Sequence, residues 1–106
     1  METIAPDYIT ARDVGKPISV VAANKTQNTW CSFVCRPRAY WVAGGRRMDG
    51  PVTTNDFLQL DIFPRCPTGL SVLVPKLPRH GRPTALRLVV LESGVAEHVV
   101  CDIPFR

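Results

Sequence analysis

Ten prolines and seven glycines are spread through 106 residues, and their placement decides what the chain can become. Proline lacks a backbone donor and collides with the preceding turn, a loss of about 3 kcal/mol inside a helix. No window of about 11 residues keeps an apolar stripe at i, i+3, i+4 and i+7 without meeting a proline, a glycine or a β-branched cluster. A helical bundle is excluded. What remains between the breakers are short runs rich in Val, Ile, Leu and aromatic residues, the composition of strands.

Seven runs of this kind are predicted as strands: 18–23, 29–35, 39–43, 57–63, 70–74, 85–92 and 95–103. The clearest alternation lies in 57–63. Leu58, Leu60 and Ile62 share one face, and Phe57, Gln59, Asp61 and Phe63 share the other. A face carrying Asp and Gln is wetted, which points to antiparallel sheets with one solvated side. Residues 36–38, 44–51 and 64–69 read as turns, the second a long one built on Gly44-Gly45 and Gly50-Pro51. Residues 75–83 (PKLPRHGRP) read as an exposed loop of polyproline-like character.

The last two runs flank Ser93-Gly94, a dipeptide suited to a two-residue hairpin turn. That turn sets Leu86 opposite Cys101, Leu88 opposite Val99 and Val89 opposite His98. Both faces of this ribbon are apolar, so it belongs at the centre of the fold or in an interface. Residues 1–16 read as an irregular arm, with Asp7 a candidate cap for a turn over 8–11. The expectation is a single all-β domain over 1–106, an antiparallel β-sandwich of about seven short strands. A small OB-like barrel is the alternative, and it would need 29–43 to be one strand bent at Pro37.

Other classes fall away on composition. No apolar run reaches the 18 or so residues of a membrane span. The opening Met1-Glu2-Thr3-Ile4 carries neither a basic flank nor an apolar stretch, so no signal peptide is read and a cytoplasmic or intracellular setting is expected. Reduced thiols follow for Cys31, Cys35, Cys66 and Cys101. On one strand, Cys31 and Cys35 would lie about 13 Å apart, beyond disulfide or single-ion range. No metal or other cofactor is expected. His80 and His98 are the chain's two histidines, and neither stands beside a nucleophile and an orienting acid. His98 and Cys101, three apart on a strand, should face opposite ways. The chain is read as non-catalytic.

Charge is the remaining signal. Thirteen basic against nine acidic residues leave a net charge of +4, and arginine dominates the basic set. Most of the arginines fall between the predicted strands. Arg36 and Arg38 bracket Pro37, and Arg46 and Arg47 follow the Gly-Gly pair. Lys76, Arg79, His80 and Arg82 share the proline-rich loop. With Tyr40 near the first basic turn, these are the candidate partner-binding residues. Arginine's planar fork suits carboxylate and phosphate alike. The first reading is therefore a protein-interaction or assembly module, self-associating or a subunit of a larger particle. The second is a single-stranded nucleic-acid binder using basic loops and the rings of Trp30, Tyr40 and Trp41. Convergence of Arg36, Arg46, Arg79 and Arg82 in space would bear on both.

Overall fold

The computed structural model describes residues 2–23, 35–55, 67–92 and 96–106. It is a β-sandwich. The strands are β1 (Glu2–Ile4), β2 (Pro17–Ala23), β3 (Cys35–Ala43), β4 (Arg46–Thr54), β5 (Pro67–Leu73), β6 (Ala85–Glu92) and β7 (Ala96–Pro104). A three-stranded sheet runs β1-β2-β5 and a four-stranded sheet runs β4-β3-β6-β7, with every pairing antiparallel. The barrel alternative is thereby replaced by two separate sheets.

Alternation builds the core. Ile18 and Val20 of β2 and Leu70 and Val72 of β5 turn inward from one sheet. Ala39 and Trp41 of β3, with Leu86, Leu88 and Val90 of β6, meet them from the other. Only half of the last ribbon is central as expected: β7 is an edge strand, and between it and β3 lies β6. Its outer face is covered too: Val89 is buried beside Tyr40 and Val42.

Several local expectations are corrected. Residues 36–38 are not a turn, because β3 continues through Pro37. The N–H and C=O of one strand residue point the same way, and the Pro37 carbonyl accepts a bond from the Asn55 N–H at 2.9 Å. The missing proline donor therefore falls on the side where β4 is ending, and the ladder with β6 is kept. Residues 44–51 are not a long turn either. Gly44 and Gly45, at φ of 57° and 82°, make the tight reversal of a primed turn, and β4 starts at once. Residues 48–51 then stand opposite Trp41 alone: Val42 pairs with Arg47 and Tyr40 with Val52, so three of the four are surplus and the strand bulges there.

The last hairpin is also out of the expected register. Glu92 pairs with Ala96, so three residues separate the strands, and Val90 rather than Val89 opposes His98. A second slip follows, because Leu88 pairs with Cys101 and Val89 with Val99, leaving Val100 as a bulge. A one-residue slip exchanges faces. His98 and Cys101 therefore lie on the same inward side of β7 instead of opposite sides.

The N-terminal arm is tied down. Its β1 pairs with β2, and Ile9 is a core residue bridging to Phe105. Thr10, not Asp7, caps the short 3-10 turn Ala11–Asp13, in a reciprocal box with the Asp13 side chain. Expected strand 57–63, most of 29–35 and the Ser93-Gly94 turn lie outside the described residues.

Candidate functional site

The end of the sandwich that holds the Gly44-Gly45 hairpin is built by a chain of contacts. The Trp41 indole N–H donates to the Lys76 carbonyl at 2.9 Å, seating the proline-rich loop against β3. The Gly44 N–H donates to Thr84 Oγ1 at 3.1 Å, bringing the far end of that loop to the hairpin tip. Phe105 N–H donates to the Thr84 carbonyl, and Val74 N–H to that of Lys16, each at 2.9 Å. The C-terminal segment and the root of β2 thus arrive at the same pole. Pro75 and Pro83 are buried, so residues 75–83 form a docked loop with an exposed crest rather than a free one.

Three basic groups meet here. Arg46 and Arg82 lie at the hairpin and the loop's return. Lys76, Arg79 and His80 sit on the crest, all exposed. Arg12, Lys16 and Arg106, also exposed, surround a shallow depression with Tyr8 on the arm side. The Arg106 guanidinium lies 4.8 Å over the Tyr8 ring. Of the nearby acids, Asp13 accepts the Thr10 N–H at 2.8 Å, leaving part of its charge engaged locally. Asp13 and Asp49 line the same depressions and offset part of this charge; the cations in excess of them favour an anionic neighbour.

Between the bulge of β4 and the proline loop runs a groove of about 750 Å³. Met48, Pro51 and Leu77 give it an apolar lining, with Lys76, Arg79 and His80 on the basic side and Asp49 on the other. Gly50 approaches so closely that a Cβ there would sit 3.3 Å from Pro78. At Gly81, φ is +81° and a Cβ would stand 2.9 Å from the end of Met48. These two glycines let loop and bulge close on each other.

The other predicted residues are elsewhere. Arg36 and Arg38 lie toward the opposite end of β3; Arg36 is some seven residues, about 23 Å of extended chain, from Ala43. Arg46 and Arg82 thus belong to segments at the hairpin end and Arg79 lines the groove beside it, whereas Arg36 belongs to the other end of β3. Arg38 packs on the outer sheet face with its Nε buried and without a hydrogen bond. Arg47 lies 4.4 Å over the Tyr40 ring, and the Tyr40 hydroxyl donates to Glu97 at 3.2 Å. At 3% exposure, Tyr40 presents almost no ring to a partner. Burial, and then the Glu97 carboxylate, hold its hydroxyl above the ordinary tyrosine range. Trp41, at 1%, is core and packs edge-on against Phe105 at 5.0 Å. Trp30 lies outside the described residues.

The sequence reading missed Arg12, Lys16 and Arg106, which are remote from the proline loop in sequence. Ile9 was the available clue: an apolar residue inside the arm that has to be buried somewhere. Chemistry is sparse at this pole. No cluster of three or more His, Cys, Asp or Glu side chains occurs among the described residues. Cys101 is a free thiol pushed up to about 11 by burial and by Asp102, the opposite of an activated nucleophile. Cys31 and Cys66, and the side chain of Cys35, lie outside the described residues. No helix among the described residues is long and apolar enough to cross a membrane. In comparison with known proteins, no family model matches the chain, and no curated protein or solved structure is significantly similar to it.

Proposed function

We propose that this chain is a non-catalytic interaction module that engages a protein partner through its basic pole. The observation that carries the reading is the groove between the β4 bulge and the proline loop, apolar in its lining and cationic along one rim. Burial of Tyr40 and Trp41 supports a protein over a single nucleic-acid strand. Sequence-tolerant binding of a strand leans on exposed rings that stack on bases, and these two rings are not available. Apolar contact ringed by arginine is the anatomy of a protein interface.

The test is co-purification of crosslinked partners from the native host. Arg46→Glu, Arg79→Glu and Arg82→Glu together are expected to remove the partners that the unaltered chain retains. Ser19→Glu, on the exposed face of the other sheet, is expected to keep them. Equal recovery with both variants would refute the pole as the working surface.

Self-association is a second reading, favoured by a separate observation. The outer face of the three-stranded sheet exposes Ile4 (74%), Val21 and Leu73 around two serines, with no charged residue among its described side chains. Sedimentation of the purified chain tests it. A monomer at high concentration would dismiss it and leave the pole reading intact.

A further inference from the structure

We infer that the groove takes an extended acidic segment carrying one large apolar side chain as its anchor. This deepens the reading of the pole and rests on it. Three features of the groove lead to that occupant, and each constrains a different part of it.

The lining comes first. Leu77 is 38% exposed although it faces a concave surface, and Met48 and Pro51 lie across from it. An apolar side chain entering there would remove all three from water, which is the main source of affinity in a small contact. Methionine and proline also suit such a seat. Met48 can change rotamer to fit the entering group, and Pro51 is already stiff.

The rim comes second. Lys76, Arg79 and His80 all stand on the loop side, faced by Asp49 alone on the bulge. A partner bearing several carboxylates is therefore drawn to the loop side and turned away from the bulge, which sets its direction in the groove. Arg12, Lys16, Arg46, Arg82 and Arg106 lie around the same pole and extend the attraction beyond contact distance. A neutral or basic peptide would gain nothing from this field.

The bulge comes third. Residues 48–51 have no register partner on β3, and they form the outer wall of the groove along an edge strand. A partner in extended conformation can lie along such a wall, its alternate side chains pointing into the groove and out to solvent. The C-terminal end of β4 is engaged. The Thr53 hydroxyl donates to the Leu73 carbonyl, and the Asn55 amide donates to the Ser71 carbonyl at 3.0 Å, tying β4 to β5. The bulge that borders the groove lies N-terminal to these ties. Bulges of this kind are found where an edge is adapted to a site.

Fluorescence anisotropy on the full chain tests the inference with three labelled probes: a glutamate-rich peptide with a single central phenylalanine, the same peptide with alanine in its place, and a thymidine oligonucleotide. The phenylalanine peptide is expected to bind at least about tenfold more tightly than its alanine counterpart, as burial of one ring requires. Leu77→Ser should erase that advantage while leaving the alanine peptide unchanged. Lys76→Glu with Arg79→Glu should abolish binding of both peptides. These positions are exposed, and circular dichroism on each variant checks that the sandwich is intact. Equal binding of the two peptides, indifferent to Leu77→Ser, would overturn the anchored groove and leave the basic pole standing. Tighter binding of the oligonucleotide than of either peptide would overturn a protein partner. No binding of any probe at low salt would overturn the inference and the pole together.

Discussion

Trp41→Phe tests whether the core and the groove are mechanically one object. The indole is 1% exposed, packs edge-on against Phe105 and donates its N–H to the Lys76 carbonyl. Phenylalanine keeps an aromatic body but loses the fused ring and the donor. The lost contacts and the incompletely filled space amount to about 1–2 kcal/mol. The unmade hydrogen bond adds about 1 kcal/mol, because the Lys76 carbonyl must then find water or stay unpaired. The total, about 2–3 kcal/mol, is a sizeable part of the 5–15 kcal/mol typical of a domain. In urea unfolding followed by far-ultraviolet circular dichroism, the midpoint should fall with an unchanged slope. Hydrogen exchange read by mass spectrometry should show faster exchange at Val74 and Thr84, whose amides bond to the Lys16 and Val42 carbonyls at the two ends of the loop that the indole anchors to β3. A loss below about 1 kcal/mol with unaltered exchange in the loop would refute the anchoring argument.

Four further outcomes are expected. Gly81→Ala should destabilise by about 1–2 kcal/mol, from its positive φ and the crowding of Met48, and should weaken any ligand of the groove; calorimetry and peptide titration read the two effects. Cys101 should alkylate about a hundredfold more slowly than a free thiol at pH 8, because its thiol is pushed from 9.0 up to about 11; site-resolved mass spectrometry after iodoacetamide treatment reads this. The same shift lets the unfolded chain lose that proton first, so stability should decline as pH rises from about 9 to 11, less steeply in Cys101→Ala. Arg87→Met should cost only about 1 kcal/mol by urea titration, since the Arg87–Asp102 pair at 2.8 and 3.0 Å is partly exposed.

The last strands were legible because an apolar run between breakers is a local signal. Residues 85–92 read as apolar on both faces, and the structure buries Leu86, Leu88 and Val90 on one side of β6 and Val89 on the other. What local patterns did not carry was the count of residues in turns and bulges. The Gly44-Gly45 pair and the Gly50-Pro51 pair look alike as punctuation, yet the first closes a hairpin and the second bulges from a continuing strand. The distinction depends on β3 already being in place to pair with β4. The hairpin of β6 and β7 makes the same point with larger chemical consequence: a single extra residue at Val100 turns His98 and Cys101 from opposite faces to one face.

The pole illustrates a further limit, because it is assembled by topology rather than by spacing. Arg12, Arg82 and Arg106 have nothing in common along the chain, and two connections join the segments that carry them. The first is the Ile9–Phe105 bridge, which holds the arm against the end of β7. The second is Thr84, whose carbonyl receives the Phe105 N–H and whose hydroxyl receives the Gly44 N–H. The first exists because Ile9 is apolar and needs a seat in the core; the second because a hairpin tip leaves an amide to be satisfied. Neither need concerns charge, yet together they crowd like charges onto one end. Such crowding opposes folding, so an anionic partner, by relieving it, would stabilise the folded chain beyond the direct contacts it makes.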